Sequence, residues 1–157
     1  TQGSDGALGD YITIAEDFAA HGADVVSDLR QLWLRIAVGI ALHNTDDHLR
    51  NHGFLRGRAG WRLAPAFDIN LEPNPATRHA TALAGRDDAD GMAQRLIEQA
   101  AVFSVGADEA RAECRRITDE VSQWRHVAAA TGASSVEIDR FVDAVDAGVA
   151  ALRAVSR

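Results

Sequence analysis

Apolar residues recur at helical spacing over most of the chain. They predict a first helix over residues 9–21 and a second, with a wider apolar stripe, over residues 23–42. A third helix of about three turns is predicted around residues 92–100, and one long helix over residues 107–131. A capping sequence at residues 134–137 then predicts the start of a final helix.

The second predicted helix ends in a polar run, residues 43–51, whose Asn, Thr and Asp side chains favour bonds to the backbone over continuation of the helix. Two short segments follow, residues 53–56 and 61–64, joined by Gly-Arg-Ala-Gly, which is typical of a β-hairpin. The prolines of residues 65–75 oppose both helix and strand and predict an ordered loop. The expected fold is therefore mostly α, with one short hairpin next to the polar run.

Composition limits the class of protein. With 157 residues, 46% of them hydrophobic and 25% charged, the chain is expected to form a single domain over residues 1–157. A net charge of −7 argues against direct binding of nucleic acid, which needs clustered basic residues. The single cysteine, Cys114, favours a cytoplasmic location. No apolar stretch reaches the length of a membrane span, and the first residues lack the basic and apolar regions of a secretory signal, so neither a leader nor a membrane partner is expected.

The polar run contains an unusual density of groups that can carry chemistry: Asn44, Asp46, Asp47, His48, Asn51 and, directly after it, His52. In phosphoryl transfer an aspartate orients the attacking hydroxyl, an asparagine five residues later helps to hold magnesium, and a later aspartate binds the metal that bridges the phosphates. Asp46 and Asn51 have this separation, which also occurs in the protein-kinase catalytic loop. Asp68 follows the predicted hairpin, where a kinase places its metal-binding aspartate.

Two other interpretations of the polar run remain open. Its side chains could only cap the preceding helix and form a turn, which for Asn44 and Thr45 is as well supported as a role in the site. It could also hold zinc in a hydrolase, because three histidines are spaced by five and four residues. That spacing matches no familiar zinc pattern, and only a distant histidine could complete a tetrahedral site. The histidines concerned are His43, His48 and His52, with His79 or His126 as the distant ligand.

The block from Leu42 to Ile69, with NTDDHLRNHGFL, a tryptophan and then LAPAFDIN, resembles the C-terminal lobe of HipA-like serine/threonine kinases, the toxins of bacterial toxin–antitoxin pairs. The similarity extends from about Tyr11 to the C-terminus. It implies a kinase-like helical lobe that uses ATP and Mg²⁺ to phosphorylate a serine or threonine hydroxyl of a protein, and a small DNA-binding antitoxin as a partner. By the same resemblance Asp46 is the catalytic aspartate, and Asn51 and Asp68 hold the metal. The residues implied to line the nucleotide are His48, Arg50, Asn51, Phe67 and Asp68.

The sequence also departs from this family. HipA-like kinases carry an N-terminal lobe with a phosphate-gripping loop and an ATP-contacting lysine, but this sequence has no such loop and all 16 of its basic residues are arginine. The N-terminal lobe is therefore expected in cis or in trans, and the chain alone is expected to be inactive. An alternative function is a catalytically silent module of the same fold that binds an antitoxin or another protein.

Overall fold

The computed structural model describes residues 9–157, which form a mostly helical structure with a short antiparallel hairpin, as the sequence predicts. The helices are α1 (Tyr11–His21), α2 (Val25–Ala41), α3 (Ala89–Glu98), α4 (Ala107–Val121), α5 (Trp124–Ala130), α6 (Ser135–Asp139) and α7 (Val142–Val155). The strands are β1 (Gly9–Asp10), β2 (Phe54–Gly57), β3 (Gly60–Leu63) and β4 (Thr81–Ala82), and 3₁₀ turns lie at Leu49–Asn51 and Ala100–Phe103. No helix within residues 9–157 is long and apolar enough to cross a membrane.

Helix α2 is the centre of the core and packs against α1, α3, α4 and α7. Its apolar stripe is wide because neighbours lie on several sides of it, and Leu32, Trp33, Ile36 and Ile40 are all buried. The Trp33 indole donates a hydrogen bond of 3.0 Å to the Leu96 carbonyl oxygen, so its polar group is satisfied inside the core. The last turn of this rigid helix leads directly into the polar run.

The start of α1 is fixed at its first turn. Asp10 caps the helix by accepting a hydrogen bond of 2.9 Å from the Ile12 amide. The same carboxylate accepts bonds from the Ala84 and Gly85 amides at 3.2 and 2.9 Å, just after β4. Strands β1 and β4 pair in parallel over two residues each. This small sheet was not predicted, because strands of two residues have no period to detect.

The hairpin β2–β3 lies against α1 on one side and α2 on the other. The Phe54 ring stacks on Phe18 of α1, with ring centroids 5.6 Å apart. On the other side Asp28 of α2 is buried and accepts two bonds from the Arg62 guanidinium, at 2.6 and 3.2 Å, and one from the Leu63 amide at 3.3 Å. These contacts fix the hairpin, and the loop that follows it, relative to α2.

The two C-terminal helices that the sequence predicts are each interrupted. The predicted helix over residues 107–131 breaks between α4 and α5, where the Ser122 and Thr118 hydroxyls bond back to carbonyl oxygens of the preceding turn, which favours bending. No residue of α5 is buried, so its apolar spacing does not reflect a core face. The predicted capping box is present, with Ser134 and Glu137 bonded to each other's backbone, but the helix it starts, α6, stops before α7 begins.

Candidate functional site

The polar run begins with a tight turn at the end of α2. The Asn44 amide bonds the Gly39 carbonyl at 2.8 Å and the His43 amide bonds the Ile40 carbonyl at 3.2 Å, which is the pattern of a Schellman motif. The residue in the left-handed position is His43, with φ of 54°, where glycine is usual. Its ring is buried and bonds the Asn74 carbonyl at 3.0 Å. Packing of the imidazole therefore holds a backbone conformation that its Cβ disfavours.

The next two residues join the run to the loop after the hairpin. Asn44 Oδ1 accepts a bond of 3.4 Å from the Asn70 amide, and the Thr45 carbonyl accepts one of 2.8 Å from the Ala80 amide. Both residues are buried. They do more than terminate α2, because they also position the segment that carries Asp68.

Residues 46–51 form a loop that is closed by hydrogen bonds between its own residues. The His48 amide bonds the Asp46 carbonyl at 2.9 Å, the Asn51 amide bonds the His48 carbonyl at 2.8 Å, and the Asn51 side-chain nitrogen donates to the Asp46 carbonyl at 3.2 Å. Asn51 is buried, whereas the Asp46 side chain is exposed to solvent. The structure thus brings together the two residues whose separation predicted the site, with Asn51 fixed and the Asp46 carboxylate free to meet a ligand.

The other predicted site residues lie within this loop, as His48 and Arg50 do, or on the segment that follows the hairpin, as Phe67 and Asp68 do. Phe67 is half exposed, and Asp68 is exposed with φ of 58°, a conformation that is uncommon outside glycine and often marks functional positions. Asp68 Oδ1 accepts a bond of 2.8 Å from the Asn70 side chain. His48 is partly buried and Arg50 is exposed.

A cavity of about 380 Å³ lies between one face of α2, the polar run and the segment after the hairpin. Of the predicted site residues, Asn51 and Phe67 line it, while Asp46, His48, Arg50 and Asp68 are not part of its wall. The other residues of the wall are Gln31, Leu34, Arg35, Val38, Gly39, Asn44, Asp47, His52, Pro65, Ala66 and Ile69. Among these, Arg35, Asp47 and His52 are polar groups to which the sequence assigned no specific role in phosphoryl transfer.

Asp47 is the most connected carboxylate of the site. Tyr11, in the first turn of α1, donates its hydroxyl to Asp47 Oδ2, and His52 Nε2 lies 3.2 Å from the same oxygen. Burial by itself raises the pKa of Asp47. The hydrogen bond and charge of His52, together with the hydrogen bond from the Tyr11 hydroxyl, outweigh it, so the pKa of this carboxyl is lowered. Burial and the Asp47 charge raise the pKa of Tyr11 well above its usual value, so it stays a donor.

The histidines do not gather into a metal site. Within residues 9–157 no three His, Cys, Asp or Glu side chains are placed to hold a metal ion together. His43 is bonded to a backbone carbonyl and packs edge-on against His79, with centroids 5.8 Å apart, while His52 is bonded to Asp47. This geometry gives no support to the zinc interpretation of their spacing.

His79 predicts a pH dependence of stability. Burial, followed by the nearby His43, lowers its pKa from 6.5 to about 4, so the folded chain keeps the ring neutral. Between pH 7 and pH 5 the unfolded chain binds a proton here that the folded chain does not, and the free energy of unfolding should fall by about 2 kcal/mol through this residue. The loss should level off below about pH 4. Urea unfolding at pH 7 and pH 5 measures it.

The variant His79→Gln isolates this contribution. It removes the titrating group, so its stability should depend less on pH by about the same 2 kcal/mol, even if it is less stable at pH 7. His126→Gln, at an exposed position on α5, is the matched control and should keep the dependence of the unchanged chain. An equal loss of stability between pH 7 and pH 5 in His79→Gln and in the unchanged chain would contradict the assignment.

Comparison with known families agrees with this architecture. The family model described as the HipA-like C-terminal domain matches residues 2–131, which is most of the chain. The chain therefore belongs to the family of HipA-like C-terminal domains. The match includes the whole candidate site and ends before α6 and α7, although α7 packs on α2, α3 and α4. No curated protein matches the chain.

Proposed function

We propose that the chain is the catalytic lobe of a HipA-like protein serine/threonine kinase, which transfers the γ-phosphate of ATP to a protein hydroxyl. The family is generally related to kinases. The observation that carries the proposal is the closed loop of residues 46–51, in which Asn51 is bonded to the backbone of Asp46 and the Asp46 carboxylate remains exposed. As part of the same proposal, the protein acts as a toxin that a small DNA-binding antitoxin restrains.

The oxygen donors that we assign to magnesium are of the type that this ion prefers. The Asn51 amide nitrogen is engaged by the Asp46 carbonyl, which leaves its Oδ1 as a free acceptor. Asp68 Oδ1 accepts a hydrogen bond from the Asn70 side chain, which leaves Asp68 Oδ2 to bind the metal under this proposal. Two such ligands are typical of Mg²⁺, which completes its shell with water and phosphate oxygens. When bound there, magnesium would neutralise charge on the phosphates.

Under this proposal Asp46 orients the acceptor hydroxyl and takes its proton as the hydroxyl oxygen bonds to the γ-phosphorus. The bond from the γ-phosphorus to the bridging oxygen breaks, and ADP leaves. Phe67 would contribute an apolar surface to the nucleotide, and His48 and Arg50 would contact its phosphates. Because the sequence has no lysine, we propose that an N-terminal lobe, in cis or in trans, supplies the remaining grip on the phosphates.

Titration of ATP by calorimetry tests the proposal on the chain combined with that lobe. Binding should require Mg²⁺, and Asp68→Asn should weaken Mg-ATP binding by at least about tenfold, because it removes a charge that holds the metal. Asp90→Asn, at an exposed position in the first turn of α3, is the control and should bind as the unchanged protein does. Binding that is absent with and without magnesium would favour the silent interaction module instead.

A further inference from the structure

The adjacent carboxylates Asp46 and Asp47 lie in opposite environments. Asp46 is exposed to solvent, whereas the side chain of Asp47 is only 13% exposed. Asp47 is bonded to Tyr11, which is 36 residues earlier in the chain, and to His52. Two neighbouring acids in such different surroundings are expected to have different roles.

We propose that Asp47 is a positioning residue, which holds the loop of residues 46–51 in its working geometry by anchoring it to α1 through Tyr11 and to His52. The proposal rests on the proposed function, because the loop it positions carries Asp46 and Asn51. In this role Asp47 does not take part in the reaction by direct contact with the acceptor or the transferred phosphate. Its effect on the reaction passes through the backbone of its neighbour Asp46.

The Tyr11 end of the anchor is itself held in place by neighbouring contacts. Tyr11 is buried, and it follows the residue that caps α1 and is also bonded to the turn after β4. The His52 ring packs edge-on against Tyr11, with centroids 5.5 Å apart and planes at 87°. Phenol, carboxylate and imidazole therefore contact one another pairwise. Hydrogen bonds to an ionised carboxylate are stronger than those between neutral groups, so this triangle resists displacement.

The anchored residue lies inside the hydrogen bonds that define the loop. The Asp46 carbonyl, one peptide before Asp47, accepts bonds from both the His48 amide and the Asn51 side chain. A shift of Asp47 therefore moves the acceptor that fixes Asn51, and moves the Asp46 side chain with it. The segment of Phe67 and Asp68 has separate supports, the bond from Asn70 to Asn44 and that from the Ala64 amide to the Gly53 carbonyl.

Asp47→Asn and Tyr11→Phe test this role in the chain combined with its N-terminal lobe. Each should lower kcat per folded molecule by about tenfold to a hundredfold, the range expected for a misplacement of about 1 Å. KM for Mg-ATP should change less than kcat, because Asp68, the other proposed metal ligand, lies on a segment that keeps its supports when Asn51 shifts. The double variant should be no slower than the slower single variant, since both remove one contact. Dephosphorylated casein serves as the acceptor.

A second measurement needs no activity. Hydrogen exchange of the His48 and Asn51 amides, both bonded within the loop, should be at least about tenfold faster in Asp47→Asn. Asp28→Asn is the matched control, because it also removes a buried carboxylate with several bonds, but one that supports the hairpin. It should lower global stability while leaving the exchange of the His48 and Asn51 amides unchanged, measured in conditions where the chain is folded.

The outcomes separate the two proposals. Unchanged exchange of the loop amides in Asp47→Asn would overturn the positioning role whatever the activity. So would normal kcat in Asp47→Asn and Tyr11→Phe, in a protein that Asp46→Asn inactivates. No phosphorylation by the unchanged protein combined with its N-terminal lobe, together with fast loop exchange in Asp47→Asn, would overturn the proposed kinase function and leave the structural anchor standing.

Discussion

Asp46→Asn should reduce kcat for protein phosphorylation by about 10²–10⁴-fold, the range that loss of a general base produces. The exposed carboxylate is the group that the closed loop leaves free, and an amide of the same shape cannot accept the proton of the acceptor hydroxyl. Its backbone bonds to His48 and Asn51 do not involve the side chain and should persist. Transfer of radiolabelled phosphate to casein, in the presence of the N-terminal lobe, measures the effect.

Two controls make this result specific to the reaction. Calorimetry should show that Asp46→Asn still binds Mg-ATP within about threefold of the unchanged protein, because Asn51 and Asp68 are retained. Asp119→Asn removes an exposed carboxylate on α4, remote in sequence from the loop, and should leave kcat unchanged. If Asp46→Asn transferred phosphate at the normal rate, Asp46 would not be the base.

Gly148→Ala should destabilise the fold by roughly 3 kcal/mol or more, at the upper end of what overpacking costs. Gly148 lies in the middle of α7, where the helix backbone meets the last turn of α2. A Cβ there would overlap the Ile40 carbonyl oxygen and lie 2.8 Å from the Ala41 carbonyl oxygen. These are backbone atoms of a packed helix and cannot rotate away. Urea unfolding at pH 7 measures the change. The m-value, which is the slope of the free energy of unfolding against urea concentration, should stay the same.

The matched control for Gly148→Ala is Gly39→Ala on α2. Gly39 is also a buried glycine inside a helix, but a Cβ built there meets no atom within 4 Å. Alanine should stabilise the chain by up to about 1 kcal/mol through helix propensity. If the two substitutions changed the free energy of unfolding equally, the backbone of α7 at Gly148 would not be packed against the last turn of α2 as the structure shows.

The contact between α7 and α2 lies next to His43, the first residue of the polar run. Gly148→Ala should therefore also speed amide exchange in the polar run.

The helices that border the site could be predicted because each must bury one face, and burial imposes a period on the sequence. Positions 11–42 of the chain carry that period through α1 and α2, both of which form close to the predicted bounds. The same reasoning failed at Ser122, where apolar spacing continues into α5 although that helix buries no residue. Apolar periodicity indicates which side chains could face a core, but it does not indicate where a helix ends. The end of α4 is set where the Thr118 and Ser122 hydroxyls bond carbonyl oxygens of the preceding turn.

The sequence by itself determined the family, the two helices that lead into the site, the hairpin and the pairing of Asp46 with Asn51, because spacing within one short loop is a local property. Only the tertiary structure decided which of two adjacent aspartates is exposed and which is anchored to Tyr11. It also decided that α2 forms a wall of the cavity and that His79 is buried beside His43. These relations depend on contacts between segments tens of residues apart, and such contacts leave no regular spacing in the chain.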